Sequence, residues 1–281
     1  MHWQQVFRMI LRSKVPPPFL PDVRQSTILE MGLKHLNPSQ WMIVDEDAST
    51  FLSHKLEQKT KQPDQIYQAL PESKDAQFEF NSLLEAHLIK DHNFRRIACD
   101  KLVNSQFDLE WVGLEKDLWS ASLWIQEDIC LLEKLGKHYI LTAASVCSPS
   151  NWDMPNKIGK CVSDIHKPVP GYKDQISDKV DRLMRSLKPE KPLARFNWSI
   201  QPHGDLFWKT GSRNQEGKQN MHWRVERQTL MRLPQSKAIV FGIRVFIHDF
   251  SMMSKIQGFD ESVAALIRKL PAEQSFYKNL Q

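Results

Sequence analysis

The order of strand-like and helix-like segments after residue 105 constrains the fold of this chain more than any other sequence feature. Five segments are rich in β-branched and apolar residues: 121–133, 139–147, 193–200, 222–233 and 238–249. The first two flank Lys134-Leu-Gly-Lys-His138, which has the character of a hairpin turn. Residues 149–187 lack strand character and end in a helical pattern over 174–187. Two strands, a helical insert and three strands predict an α+β fold with a five-stranded antiparallel sheet, one face of which the insert covers.

This order is also that of a PAS domain, in which a ligand lies between the insert and the sheet, although another α+β sheet of similar order stays open. The loop 203–220 contains three glycines, and its composition predicts a mobile segment. The pattern over 259–270 predicts a closing helix. Helix-spaced apolar residues over 48–70 and 78–89 predict a helical and irregular N-terminal extension over 1–105, with the PAS-like domain over 106–281. The proline-rich stretch 15–21 predicts an extended lead that docks Phe19 and Leu20.

Composition limits the classes of function. The 281 residues carry a net charge of +5, but the basic residues are scattered among 33 acidic ones and form no nucleic-acid arm. Four cysteines without a CxxC pair indicate a reducing compartment. No apolar run approaches the length of a membrane span, and the first 14 residues lack the apolar centre of a signal peptide, so the expected location is the cytoplasm, with neither a nucleic-acid nor a membrane partner.

One histidine has an unusual setting. His166 follows a short helical pattern and precedes Pro168 and Pro170, each of which locks φ and lacks an N–H. An imidazole held in this way loses little freedom when it binds a ligand or a metal. The competing interpretation is a buried structural histidine that caps its own helix. Cys147 is a rival ligand as a thiolate, but a cysteine at a strand end is more typical of a core residue.

Charged residues occupy both faces of the strand 222–233. Alternation sends Arg224, Glu226 and Gln228 to one face and Val225, Arg227 and Thr229 to the other. An unpaired buried charge costs several kcal/mol, so these side chains need partners. One interpretation is an exposed face with an Arg224–Glu226 ion pair. The functional interpretation makes these two residues catalytic, with the charged side chains directed into a binding site.

Several blocks in the same order resemble the alpha subunit of heme-dependent oxidative N-demethylases. They are Met31–Leu33 with Trp41 and Asp45, Gln126–Cys130, Cys147–Tyr172, Arg195–Trp198 and Arg224–Pro234. The resemblance implies heme b in a PAS fold and the oxidation of a small secondary amine, such as dimethylamine, to a primary amine and formaldehyde. It also implies electrons from NADPH through a partner that carries FMN and an iron–sulfur centre, and a tetrahydrofolate-binding partner that takes the formaldehyde. The chain itself has no Gly-rich dinucleotide motif and no cysteine cluster.

The candidate site follows from the pattern and the resemblance together. By the resemblance, His166 is the candidate axial ligand of the heme iron, for which a neutral imidazole is suited. Arg224 would contact dioxygen or a heme propionate, and Glu226 would hold a cationic amine. The candidate cofactor-binding residues beside it are Trp152, Lys157, Pro168, Arg195, Asn197, Arg227 and Arg244. His222 and His248 stand at strand ends, where solvent exposure is expected. Ser148, in place of an aromatic residue, and Phe246–Asp249 depart from the family pattern and put the identity of the substrate in question. Two other functions stay open: a PAS-type heme sensor of oxygen or nitric oxide, and a heme-free scaffold.

Overall fold

A computed structural model describes residues 14, 16–20, 29, 31–112, 115–209 and 221–278. Within them the chain forms ten strands in two antiparallel sheets. The strands are β1 (Lys34–His35), β2 (Tyr67–Ala69), β3 (Phe94–Ala98), β4 (Lys101–Asn104), β5 (Leu109–Val112), β6 (Asp128–Leu135), β7 (His138–Ser145), β8 (Leu193–Gln201), β9 (His222–Arg232) and β10 (Ile239–Asp249). The large sheet has seven strands in the order β1-β8-β9-β10-β6-β7-β2, so the predicted α+β class is confirmed.

The five predicted strands are the five long central strands of this sheet. Their start and end points agree with the sequence patterns, except that the first strand begins at Asp128 instead of residue 121. Residues 118–122 are helical because the side chain of Asp117 accepts a hydrogen bond from the Ser120 N–H at 2.7 Å and caps a short helix. The hairpin turn contains Gly136 at φ +62°, a conformation that glycine adopts without strain.

Ten α-helices lie in the described part of the chain. They are α1 (Ala48–Lys61), α2 (Pro63–Ile66), α3 (Lys74–Asp91), α4 (Leu118–Ser122), α5 (Val162–Ile165), α6 (Tyr172–Gln175), α7 (Ser177–Ser186), α8 (Phe250–Met253), α9 (Phe259–Lys269) and α10 (Ala272–Tyr277). The predicted closing helix is α9. The predicted helix over 48–70 is wrong after Ile66, where the chain pairs with β7 as strand β2. The helix of the insert is divided at Ile176 into α6 and α7.

The N-terminal part contains a feature that the sequence analysis missed. Strands β3, β4 and β5 form a separate three-stranded sheet, in which Phe94 stacks on Trp111 with ring centroids 5.4 Å apart. The predicted domain boundary at 105/106 falls between β4 and β5 of this sheet. In the proline-rich lead, Phe19 stacks on Phe196 at 5.5 Å whereas Leu20 is exposed. Val15 and Pro21, and the part of the predicted mobile loop from 210 to 220, lie outside the described residues.

Both faces of the large sheet are covered. We call the face that packs against residues 149–187 the insert face; its core residues include Cys130, Leu230 and Ile239. The opposite face, here the cap face, packs against α3 at one end and against α9 at the other. Gly242 shows how close the cap approaches, because a Cβ there would lie 2.7 Å from Thr229 Oγ1 and 3.1 Å from Met42 Cε. A strand that is buried on both faces needs apolar residues at successive positions, which explains the weak alternation of β10.

Candidate functional site

His166 is the C-cap residue of helix α5 and is half-buried. Its Nδ1–H donates to the carbonyl oxygen of Val162 at 2.8 Å, and its ring stacks on Tyr172 with centroids 4.6 Å apart. Burial lowers the pKa of His166, and the positive charges of Lys157 and Arg195 lower it further. The imidazole is therefore neutral near pH 7, with a lone pair on Nε2 that has no hydrogen-bond partner among the described residues. A ligating histidine commonly has this arrangement, in which the other ring nitrogen bonds a backbone carbonyl.

The chain around His166 fixes its backbone. The Lys157 ammonium donates to the carbonyl oxygen of Ile165 at 2.8 Å, and burial lowers the pKa of Lys157. The N–H of Val169 donates back to the His166 carbonyl at 2.9 Å, which closes a turn through Pro168. Pro168 itself is exposed, so it acts on the site through the backbone. Trp152 packs between the insert and the sheet, and its buried indole N–H has no hydrogen-bond partner there.

Arg195 on β8 is a cation without a paired anion. Its Nε is buried with no hydrogen-bond partner, and its guanidinium makes no hydrogen bond or ion pair to any described residue. Burial lowers the pKa of Arg195, and the charge of Glu226 opposes that shift. Arg195 is also near enough to His166 to lower its pKa. A largely buried guanidinium is expensive without a partner, so this position suits the binding of an anionic group.

Glu226 on β9 accepts hydrogen bonds from three side chains on the insert face. Arg224 Nε lies 3.3 Å from Oε1, and Asn197 Nδ2 and Gln228 Nε2 lie 3.1 and 3.0 Å from Oε2. Burial opposes the negative charge, but Arg224 and these hydrogen bonds outweigh it and keep the pKa of Glu226 below its ordinary value. Glu226 is thus an anion whose side chain keeps 16% exposure, and it can accept one further donor.

Each of the three guanidinium nitrogens of Arg224 donates a hydrogen bond to the protein. Besides Glu226, it donates to the carbonyl oxygens of Leu206 at 3.2 Å and Ser148 at 2.5 Å. These carbonyls belong to the segments that follow β8 and β7, so Arg224 ties two loops to the sheet. The predicted alternation is confirmed, since Arg224 and Glu226 share a face with Asn197 in register with Glu226. The hydrogen bonds of Arg224 fit a positioning role. Arg195, which makes no hydrogen bond to a described residue, is available to a ligand.

The sequence analysis missed Lys278, which follows α10. Its ammonium is buried and donates to Asn197 Oδ1 at 2.8 Å and to the carbonyl oxygen of Trp198. No sequence motif marks this lysine, because it lies 52 positions after Glu226 and reaches the site only through the packing of the C-terminal helices. The insert face therefore brings together six polar residues: Arg195, Asn197, Arg224, Glu226, Gln228 and Lys278.

Arg227 and Arg244 lie on the cap face, away from this group. The guanidinium of Arg227 donates to the carbonyl oxygens of Gln40 and Trp41 and lies 4.0 Å from a carboxylate oxygen of Glu127. The sheet thus separates these two predicted cofactor-binding arginines from His166.

Arg244 has the richer set of partners of the two. It is paired with Asp45 at 3.1 Å and Asp47 at 3.4 Å and lies between the rings of Phe51 and Phe246. These contacts account for a buried arginine without a ligand.

Three further sequence expectations have clear outcomes. The expected exposure of His222 and His248 is wrong: both are buried, and His222 Nε2 lies 2.8 Å from Asp249 Oδ1. Cys147 is a fully buried residue at the end of β7, and burial raises the pKa of its thiol to about 12. This environment favours the neutral thiol and agrees with the structural interpretation of Cys147.

No group of three or more His, Cys, Asp or Glu side chains in the described part of the chain has the geometry of a metal site. No helix there is long and apolar enough to cross a membrane. A family model described as "Haem-dependent oxidative N-demethylase, alpha subunit-like" matches residues 32–281.

Proposed function

Since the chain belongs to the heme-dependent oxidative N-demethylase alpha subunit-like family, we propose that it is the heme subunit of a monooxygenase that removes a methyl group from a small secondary amine. One observation carries this proposal. A neutral His166, whose Nε2 lone pair is free, lies near Arg195, whose guanidinium is unpaired. His166 would supply a nitrogen ligand to the iron of a heme b, and Arg195 would supply a cation to one of its propionates.

The fold supports the proposal. The five long strands run in the order β7-β6-β10-β9-β8, with the helical insert between β7 and β8 in sequence, and we infer a PAS-like domain from this order. His166 lies in the insert and Arg195 on the insert face, so a ligand between the two layers would touch both. Trp152 and Lys157 border the same layer, whereas Arg227 and Arg244 do not.

The residues of the insert face have distinct tasks in the proposed reaction. His166 would hold the iron through Nε2 and Arg195 would bind a propionate; the heme, when bound, supplies the activation of dioxygen. The Glu226 carboxylate would accept an N–H of the protonated amine and orient its methyl group, and Asn197 and Gln228 keep that carboxylate in place. Arg224 would hold the loop segments at Ser148 and Leu206 against the sheet beside Glu226.

The proposed overall reaction balances with two electrons from NADPH. One oxygen atom of dioxygen leaves in formaldehyde and the other as water, while the C–N bond breaks and releases the primary amine. The family description names an alpha subunit, which implies an assembly of several subunits. We propose that a partner with FMN and an iron–sulfur centre delivers the electrons and that a tetrahydrofolate-binding partner takes the formaldehyde. We also propose a cytoplasmic location, because all four cysteines are free thiols.

The visible absorption spectrum of the purified chain, produced with ample heme, tests this function. We expect a Soret band that shifts after reduction and addition of carbon monoxide, and that is lost or altered in His166→Ala. Tyr172→Leu is the matched control, because it removes the ring that stacks on His166 and leaves Nε2 in place. No Soret band would overturn heme binding, and a heme-loaded assembly that consumes no NADPH with dimethylamine would overturn the N-demethylase reaction.

A further inference from the structure

Lys278 enters the polar group on the insert face from the C-terminal end of the chain. It is 6% exposed, and its ammonium lies 5.4 Å from the ring centroid of Trp198 in addition to its two hydrogen bonds. Phe276 and Tyr277, which precede it, are exposed. The segment thus keeps two aromatic side chains at the surface and buries a lysine, the reverse of what hydrophobicity favours.

Lys278 is connected to Glu226 through one side chain. Asn197 accepts from the lysine with Oδ1 and donates to Glu226 with Nδ2, at 2.8 and 3.1 Å. Asn197 is thus oriented by two charged neighbours, and Lys278 is held at the distance of one amide group from the carboxylate. The lysine is therefore a cation close enough to Glu226 for the two charges to interact.

A cation that approaches Glu226 has to compete with the positive charges already placed around this carboxylate. Three cationic side chains, Arg195, Arg224 and Lys278, surround this one carboxylate on the insert face. Burial lowers the pKa of Lys278 to about 8; Glu226 opposes the shift, and Arg195 and Arg224 add to it. Tyr277, whose side chain is partly exposed, is the other titratable group of this segment near Glu226, and its partial burial and that carboxylate raise its pKa. Lys278 is therefore charged at neutral pH and loses its charge at mildly alkaline pH.

We propose that Lys278 is a specificity-determining residue whose ammonium competes with a cationic amine for Glu226, so that the site binds a purely cationic ligand weakly while this lysine is charged. The inference rests on the proposed function in one respect, namely that Glu226 is the group that receives the amine. Two like charges next to one carboxylate repel each other, and the repulsion is large where water is largely excluded. Loss of the lysine charge removes the repulsion and leaves the carboxylate intact.

Calorimetric titration of the heme-loaded chain with dimethylammonium chloride between pH 7 and pH 9 tests the proposal. A secondary aliphatic amine stays protonated in this range because its basicity is near that of lysine, about 10.4. We expect the affinity of the wild type to rise about tenfold across the range. Lys278→Met should bind about tenfold more tightly than the wild type at pH 7, with no pH dependence. Lys278→Arg, the matched control, keeps a charge at all these pH values and should bind weakly throughout.

Two results would overturn the proposal. One is equal affinities of the wild type and Lys278→Met at pH 7, and the other is no binding of the cation by any of the variants. Thermal melts of both variants show whether loss of the bonds to Asn197 and Trp198 disturbs the fold.

A second measurement uses only the wild type, so its result does not depend on whether a variant folds. In the wild type labelled with ¹³C at lysine Cε, we expect the Lys278 resonance to shift when dimethylammonium is added. A shift in a protein that consumes no NADPH would support the competition and reject only the proposed reaction. An unchanged resonance would reject the competition.

Discussion

Two groups of charged residues lie on opposite faces of the same strands, and they differ in how their charges are balanced. On the cap face, Arg244 has the two carboxylates of Asp45 and Asp47 within 3.4 Å. Arg227 there has Glu127 and two backbone carbonyls. Each of these two arginines has protein partners that account for its burial.

On the insert face the cations are in excess. Arg224 and Glu226 form a pair, but Arg195 has no hydrogen bond among the described residues and Lys278 bonds only neutral oxygens. A fold can tolerate such an excess when a ligand supplies the missing negative charge. The difference teaches that a buried arginine in a strand indicates a ligand only where the protein leaves its guanidinium unpaired.

The largest expected effect comes from removing a charge on the balanced face. Arg244→Met leaves the carboxylates of Asp45 and Asp47 without their cation, so we expect the free energy of unfolding to fall by about 3–5 kcal/mol. Urea denaturation measures this loss. Arg195→Met is the matched control on the insert face and should cost less than about 1 kcal/mol in the heme-free protein, because no bond is broken. Equal losses for the two variants would contradict the comparison.

The second effect is a pH dependence of stability that Lys278 introduces. The pKa of Lys278 is about 8 in the folded chain, below its ordinary value of 10.5, so the unfolded chain binds the proton more tightly. Relative to an uncharged side chain, Lys278 costs no stability above pH 10.5; the cost grows as the pH falls from 10.5 to about 8 and is complete below about 8. The wild type should therefore gain up to about 3 kcal/mol relative to Lys278→Met between these pH values. If the stabilities of the two proteins change with pH in parallel, the pKa of Lys278 is not lowered in the folded chain.

The smallest effect concerns the Glu226 carboxylate on the insert face. Glu226→Gln removes the negative charge that holds a cationic amine, and we expect the affinity for dimethylammonium to fall about tenfold while the heme spectrum stays near native. Calorimetric titration and the absorption spectrum measure the two quantities. Gln228→Ala serves as a control, because it removes a donor to Glu226 and keeps the charge. If Glu226→Gln unfolds the protein instead, Glu226 is a structural residue.

Much of the sheet was predictable because its signals are local. Strand β9 was expected over 222–233 and extends from His222 to Arg232, and the alternation of Arg224 and Glu226 with Arg227 follows from backbone geometry alone. The setting of His166 was also visible, since a short helix and two prolines lie within a few residues of it. The three-stranded sheet β3–β5 was missed because its strands are only four or five residues long and lie among charged residues.

The sequence by itself determined the α+β class, the order of the long strands and the face that each charged side chain of β9 takes, because these depend on periods of two residues and on local turns. Only the tertiary structure decided which arginines are paired. Arg244 meets Asp45 and Asp47, and Lys278 meets Asn197, across about 200 and 80 positions of the chain respectively. The free energy of a buried charge depends on the partners that packing brings to it, and no local pattern contains that information.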